Sequence, residues 1–251
     1  MRKPRPSAVL FDLFHTLVDV NAAPGPSSSE ILGIDPMIWN RKIIEESAHH
    51  ALGSVSDPYE SVRIIVHSID PSIAEELIRR AVESRPRRFR HALVQVRPDV
   101  LQGLERLRAL GLRLGLISNA GLDEVEAWPD SPLSRFFDAA LFSCHERLMK
   151  PDPAIYLRAA ARLGVPPRAC LFVGDGGSRE HAGAREAGMG TCLLLGLLQE
   201  SLPEIAARRP RDTDYKLTSM SDLVRMLESW PEESQPGPPE PESPPEERGH
   251  V

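Results

Sequence analysis

The feature that most constrains the fold of this chain is a regular alternation of strand-length apolar runs with single amphipathic helices after residue 97. Helical periodicity is present at 98–110, 153–163, 179–187 and 221–227. The apolar runs suited to strands are 8–11, 112–117, 139–143, 169–173, 191–195 and 215–218. Strands separated by single helices are joined by right-handed crossovers, so the sequence predicts an α/β fold with a doubly wound parallel sheet.

A second segment, residues 21–91, contains no strand-like run and is predicted to be helical. It opens with a stretch dense in Pro, Gly and Ser at 21–29. Asp-Pro pairs at Asp35, Asp57 and Asp70 then give a helix cap followed by proline at the first helical position. We therefore expect about three helices, at 37–52, 59–69 and 72–82, forming a subdomain inserted into a core made of residues 1–20 and 92–230. The arginine-rich run 85–90 is interpreted as a solvated linker face.

The C-terminal segment 231–251 differs in composition from the rest of the chain. It holds seven prolines and six glutamates and almost no large apolar side chain, so it is expected to be disordered. Over the whole chain, 36 acidic residues outnumber 30 basic ones, which gives a formal net charge of −6. Because there is no basic excess, nucleic acid is not expected as a partner.

Two further features bear on where the protein works. No apolar stretch approaches the length that spans a membrane, and the N-terminus lacks the features of a signal peptide. The three cysteines, Cys144, Cys170 and Cys192, form no C-x-x-C pair and are expected to be reduced thiols. We expect a cytoplasmic protein with no membrane partner, either a monomer or a homodimer.

Chemically active residues follow the predicted strands at the points where the strands end. Asp12 follows the first strand, Ser118 and Asn119 follow the second, and Asp175 follows the fourth with two glycines after it. Lys150 comes just before a predicted helix that would start at the same edge. Ligands bind outside the carboxyl ends of parallel strands, so these residues should converge there. Two carboxylates with a lysine and small donors suit a phosphate held through Mg²⁺.

The four motifs that carry these residues resemble those of the haloacid dehalogenase superfamily. They are FDLFHTL at 11–17, LISN at 116–119, MKPDP at 149–153 and VGDGGSREHAGAREAG at 173–188. In the last motif, Glu180 stands where the family usually has a second aspartate. A helical insertion between the first and second motifs is typical of the subgroup with an α-helical cap.

The resemblance implies a role for each matching residue. Asp12, Ser118 and Lys150 are the expected catalytic residues, with Asp12 as the nucleophile. Ser118, Asn119 and Lys150 are expected to bind phosphate. The expected Mg²⁺ ligands are Asp12, Asp175, Glu180 and the main-chain carbonyl of Phe14. On this basis the most favoured function is a Mg²⁺-dependent phosphatase that forms an aspartyl phosphate from a small phosphate ester.

Phe14 departs from the phosphatase pattern. Family phosphatases carry an aspartate at this place, which protonates the leaving alkoxide and later activates water. Losing a positioned acid/base costs on the order of 10²- to 10⁴-fold in rate, so the chain should turn over slowly, use a substrate with a good leaving group, or employ another acid. The adjacent His15 is expected to point away from the cluster and to serve local packing.

Two other functions remain open. An aromatic residue in place of the second aspartate also occurs in the haloacid dehalogenases, which form an aspartyl ester with carbon and need no metal. The segment around Arg41 resembles their halide-binding arginine segment, although a solvated helix face is the simpler interpretation. Because Asp175 and Glu180 are retained, the phosphatase is favoured over the dehalogenase. The third possibility is a binding protein whose catalytic site has decayed.

Overall fold

The computed structural model describes residues 4–230 except 47, 54 and 56, and a six-stranded parallel sheet forms its centre. The spatial order is β3-β2-β1-β4-β5-β6. Because the chain moves outwards from β1 in one direction and then returns to fill the other side, the sheet is doubly wound, as predicted. The strands are β1 (Ala8–Phe11), β2 (Arg113–Ser118), β3 (Ala139–Phe142), β4 (Cys170–Gly174), β5 (Gly190–Leu194) and β6 (Tyr215–Leu217).

Strand β1 shows why the sequence forms a buried central strand. All four of its residues have no exposed surface. Val9 and Phe11 pack into the core on one face of the sheet, and Ala8 and Leu10 pack into the core on the other. Side chains alternate between faces along a strand. A strand covered on both faces therefore reads as a continuous apolar run.

Helices cover both faces of the sheet. Leu104 of α6 (Pro98–Ala109) and Leu223 of α13 (Met220–Glu228) belong to the first core. Ile155 of α9 (Pro153–Leu163) and Ala184 of α10 (Glu180–Glu186) belong to the second. The shorter helices of this part are α7 (Leu122–Val125), α8 (Ser143–Glu146), α11 (Gly196–Ser201) and α12 (Pro203–Ala207).

The segment between β1 and β2 is helical, with a small core of its own. This core contains Trp39, Val66 and Ile78 from three different helices. The chain therefore inserts a helical layer between β1 and β2. The helices before α6 are α1 (Ser28–Leu32), α2 (Pro36–Glu46), α3 (Ala48–Ala51), α4 (Pro58–Ile69) and α5 (Glu75–Val94).

The interpretation of residues 85–90 as a solvated linker is wrong. These residues lie inside α5, which runs for 20 residues and passes through Pro86. Arg85 and Arg88 are buried, at 6% and 7% exposed. Each guanidinium has several hydrogen-bond partners, which is the condition under which arginine can be buried. The expected boundary at residue 91 also falls within this helix.

Other expectations concern the tail, the thiols and the membrane. The predicted disordered tail, 231–251, lies outside the described residues. All three cysteines are free and buried. Within the part of the chain that the structure describes, no helix has the length and hydropathy needed to cross a membrane.

Candidate active site

Three buried carboxylates meet at the carboxyl edge of the sheet. Asp12 follows β1, Asp175 follows β4, and Glu180 is the first residue of α10. One oxygen from each lies within 4.8 Å of the others. Gly174 permits this approach, because a Cβ at that position would lie only 2.2 Å from Oε1 of Glu180, in the conformation seen here. The sheet edge therefore gathers the acidic residues that the sequence predicted would converge.

Lys150 lies among these carboxylates and is 2% exposed. Its Nζ donates to Oδ1 of Asp12 and, at 2.7 Å, to Oε2 of Glu180. The backbone of Lys150 is fixed by Asn119, whose Oδ1 accepts from the Lys150 amide at 2.7 Å and whose Nδ2 donates to its carbonyl at 2.8 Å. Since both ends of the Asn119 amide are occupied, its side chain positions Lys150. The phosphate contact expected of Asn119 stays a prediction.

Ser118 ends β2 and is fully buried. Its Oγ has no hydrogen-bond partner among the described residues. A buried hydroxyl without a partner is uncommon and needs an explanation. Its position beside the carboxylate cluster is the one in which a bound anion would supply the missing partner.

Thr16 orients the expected nucleophile. Its Oγ1 donates to Oδ2 of Asp12 at 2.9 Å, while Lys150 holds the other oxygen. The tight turn after β1 makes this contact possible, with the Leu17 amide donating to the Leu13 carbonyl at 2.8 Å. The motif FDLFHTL includes Thr16, but its role in holding the carboxylate is evident only in the folded chain.

Arg209 is a site residue that the sequence did not reveal. It lies just after α12, and its Nη2 donates to Oδ2 of Asp175 at 2.6 Å. The Gly177 amide donates to the other oxygen at 3.0 Å. Arg209 belongs to no recognisable motif and is one of 26 arginines, so no local signal distinguished it.

The charges at the site balance only while one of the carboxyl groups holds a proton. Three carboxyl groups face two cations, Lys150 and Arg209. Burial raises the pKa of Glu180 to about 8, with Lys150 opposing the shift and the charges of Asp12 and Asp175 adding to it. Burial also disfavours the charge of Lys150, but Asp12 and Glu180 keep its pKa above the ordinary value. A cation bound at the site would release the Glu180 proton and replace its positive charge.

The donor set fits a hard divalent cation. Carboxylate oxygens are the ligands that Mg²⁺ prefers. Asp12, Asp175 and Glu180 provide them within one small volume. The main-chain carbonyl of Phe14, two residues after Asp12, stays a predicted ligand. Bound there, Mg²⁺ would offset the charges of the three carboxylates and polarise a phosphoryl oxygen.

A cavity of about 230 Å³ lies between the helical insertion and this edge of the sheet. It reaches the edge at Phe14, His15 and Asn119, the residues next to Asp12 and Ser118. The ring of Phe14 packs edge-on against Phe89 of α5, with 5.2 Å between centroids. The position of the family's second aspartate is therefore filled by part of an aromatic wall.

The expectation that His15 points away from the site is wrong. His15 lines the cavity, with its backbone in the left-handed region at φ 63°. Its Nδ1 lies 3.6 Å from Oδ1 of Asp19. Burial raises the pKa of Asp175, but Arg209 and then His15 bring it below the ordinary value. The unusual backbone conformation turns the imidazole towards the cavity, which the extended pattern of the strand did not predict.

Two arginines of α5 connect the insertion to the core. Arg85 donates to Asp123 at 3.1 Å and to Glu124, both on α7. Arg88 donates to three main-chain carbonyls in the segment that leads from β1 into the insertion, those of Val20, Ala23 and Gly25. These contacts fix the insertion over the cavity.

Arg41, the residue considered for a dehalogenase site, lies elsewhere. Its side chain is 65% exposed on α2, and its Nε lies 3.8 Å from Oε1 of Glu45. It does not line the cavity at Phe14. In this conformation it is a residue of a solvated helix face.

Sequence and structure comparisons find both phosphatases and dehalogenases among the proteins similar to this chain. A glyceraldehyde 3-phosphate phosphatase of Methanopyrus kandleri is 32% identical over 139 residues, which are 52% of this chain and 57% of the relative. The (S)-2-haloacid dehalogenase 4A of Burkholderia cepacia is 27% identical over 89% of this chain and 93% of its own. The structure of an L-2-haloacid dehalogenase from Xanthobacter autotrophicus with chloropropionic acid covalently bound shares the fold, with a TM-score of 0.65, 22% identity, and coverage of 90% of this chain and 100% of that one.

A family model shows the family of this chain, although it does not distinguish between these individual activities. The model described as haloacid dehalogenase-like hydrolase matches residues 6–188, a range that includes all the carboxylates of the site. The sheet order and the convergence of Asp12, Lys150 and Asp175 agree with that match. This chain belongs to the haloacid dehalogenase-like hydrolases.

Proposed function

We propose that the protein is a Mg²⁺-dependent phosphatase that acts on a small phosphate ester through an aspartyl-phosphate intermediate. The observation that supports this most strongly is the cluster of Asp12, Asp175 and Glu180, whose oxygens lie within 4.8 Å of one another. A cation would displace the proton that Glu180 retains through its raised pKa, and a phosphoryl group brings such a cation a further set of oxygen ligands.

In the proposed reaction, Asp12 attacks phosphorus while Thr16 and Lys150 hold its carboxylate in place. A bond forms between a carboxylate oxygen and phosphorus, and the bond from phosphorus to the ester oxygen breaks with its electron pair on the departing oxygen. Lys150 and Ser118, whose hydroxyl has no partner among the described residues, would bind phosphoryl oxygens. Water then hydrolyses the aspartyl phosphate, which releases inorganic phosphate and restores Asp12.

A 2-haloacid dehalogenase is the second candidate, and Phe14 is the observation that favours it. In that reaction Asp12 attacks the carbon that bears the halogen, halide departs with the bonding electrons, and water hydrolyses the ester. A departing halide needs no proton, so Phe14 in place of an acid would not slow this reaction. The exposed position of Arg41 weakens this candidate, because the arginines that do line the cavity, Arg85 and Arg88, already pair with carboxylates and main-chain carbonyls.

Steady-state assays separate the candidates. The purified protein should hydrolyse 4-nitrophenyl phosphate with Mg²⁺, lose this activity with a chelator, and lose it in Asp12→Asn. The matched control is Asp212→Asn, which changes an aspartate that is 89% exposed and should keep full activity. Halide release from 2-chloropropionate without metal would contradict the phosphatase and establish the dehalogenase. Binding of Mg²⁺ with no turnover of either substrate class would favour the binding protein.

A further inference from the structure

The cavity at Phe14 has the size of a small ring compound. Its volume is about 230 Å³, and a cavity of about 150 Å³ is enough to hold benzene. It lies directly beside the predicted phosphate site, on the side of Phe14. A group esterified to a phosphate at that edge of the sheet would extend past Phe14 and Asn119, so the cavity is where the leaving group of a substrate would lie.

The walls near Phe14 are aromatic and apolar. Phe14 meets Phe89 edge-on, at an interplanar angle of 74°. Trp39 and Ile43 of α2 and Val20 also line the cavity. Aromatic side chains in such contacts favour another ring, because edge-to-face pairs contribute beyond the area they bury. This wall replaces a charged carboxylate with a surface that suits a planar apolar group.

The acidic residue that lines the cavity is not placed to donate a proton. The Glu124 carboxylate accepts hydrogen bonds from Arg85 and, at 2.9 Å, from the Gly121 amide. His15 also lies beside Phe14, with its Nδ1 facing Asp19. A leaving group in this cavity therefore receives no proton from a carboxylic acid, and the esters that need none are those of acidic alcohols.

We infer that the natural substrate is a monoester of phosphate with an aromatic alcohol, an inference that rests on the proposed phosphatase function. Phe14 and Phe89 bind the ring, and the ring makes protonation unnecessary. When Asp12 attacks phosphorus, the bond to the aryl oxygen breaks and both its electrons leave with an aryloxide, whose charge is delocalised into the ring. The aryloxide takes its proton from water after release. Phe14 in place of the family's aspartate thus has two effects that agree with each other. It removes the acid that would protonate the leaving group, and it helps to bind a leaving group that needs no proton.

The kinetic test uses a series of aryl and alkyl phosphates with Mg²⁺. For the wild type, log kcat/KM should fall steeply as the leaving-group pKa rises, and alkyl phosphates should be slower than phenyl phosphate by about 10²-fold or more. Phe14→Asp should flatten this dependence by accelerating alkyl phosphates selectively. His15→Asn should leave the dependence unchanged, since asparagine tolerates the left-handed backbone. A steeper dependence in His15→Asn would identify His15 as the acid and overturn the inference.

Binding provides a readout that does not depend on turnover. Phenylphosphonate and methylphosphonate carry the same anionic group and are not hydrolysed, so their affinities for the wild-type protein with Mg²⁺ can be measured by calorimetry. Phenylphosphonate should bind about tenfold more tightly, and Phe89→Leu should remove most of that difference. Tyr59→Leu, an aromatic change on the same insertion but outside the cavity, should retain it.

The outcomes distinguish the two proposals. Mg²⁺-dependent hydrolysis of alkyl and aryl phosphates at equal rates, or equal affinity for the two phosphonates, would overturn the aromatic substrate and leave the phosphatase intact. Absence of Mg²⁺-dependent hydrolysis with every phosphate would overturn the phosphatase and the substrate class together.

Discussion

Arg209 donates a hydrogen bond of 2.6 Å to Asp175, so a largely buried guanidinium pairs with one of the three clustered carboxylates. The same carboxylate is a proposed ligand of Mg²⁺. A fixed positive charge beside a metal site repels the metal, and the repulsion is strong where water is excluded. Arg209 therefore satisfies Asp175, and we expect it to weaken the proposed binding of metal.

Removal of that guanidinium should tighten Mg²⁺ binding. We expect Arg209→Ala to lower the Mg²⁺ dissociation constant by roughly fivefold or more, because a unit charge close to a partly buried site contributes at least about 1 kcal/mol. Calorimetric titration with Mg²⁺ measures the change. Arg185→Ala, which removes an exposed arginine paired with Asp212, is the control and should bind as the wild type does. Weaker binding by Arg209→Ala would show instead that Arg209 holds Asp175 in position for the metal.

The raised pKa of Glu180 should make stability depend on pH in a definite direction. Its pKa is about 8 in the folded chain against an ordinary value of 4.5. Between these values the folded state binds more protons than the unfolded state, so this group's contribution to the free energy of unfolding falls as pH rises. Glu180→Gln cannot titrate and should remove that contribution, which amounts to at most about 1.4 kcal/mol per pH unit.

Urea unfolding in the presence of a chelator, at several values from pH 5.5 to pH 8, compares the two proteins. Every other titrating group is common to both, so the difference between them isolates Glu180. The wild type should lose stability relative to Glu180→Gln as the pH rises. A constant difference across this range would mean that Glu180 is ionised throughout.

Two arginines of α5 provide a matched pair for testing what holds the insertion on the core. Arg85 pairs with Asp123 and Glu124 in a buried position, and Arg90 pairs with Asp130 on the surface with both side chains more than half exposed. Arg85→Met should reduce the free energy of unfolding by about 3–5 kcal/mol, because it leaves buried carboxylates without their cation. Arg90→Met should cost about 0–1 kcal/mol. Equal losses in the free energy of unfolding, measured with urea, would show that burial does not increase the contribution of the Arg85 ion pairs to stability.

The strands were predictable because their signals are local. The apolar run 112–117 and the observed strand Arg113–Ser118 differ by one residue at each end, and the turn-forming residues that flank such runs fix these limits. Helix α9 was predicted without error, since Asp152 caps it and Gly164 ends it in the left-handed conformation. Both signals are contained in the residues next to the helix.

What the sequence did not predict depends on tertiary contacts. Pro86 and the charges of 85–90 argued against a helix, yet α5 passes through them because Arg85 and Arg88 find partners in distant segments. Arg209 is brought to Asp175 by the fold and not by a motif. The inward orientation of His15 depends on a left-handed backbone conformation that is rare for residues other than glycine.

The most direct test of the proposed chemistry is detection of the covalent intermediate. The protein is mixed with Mg²⁺ and 4-nitrophenyl phosphate, quenched in acid within milliseconds to seconds, and analysed by intact-mass and peptide mass spectrometry. The phosphatase proposal predicts an added phosphoryl group on the peptide that contains Asp12, and no such adduct in Asp12→Asn or without Mg²⁺. No phosphoryl adduct under any condition, together with a metal-independent ester on Asp12 after exposure to 2-chloropropionate, would contradict the proposal.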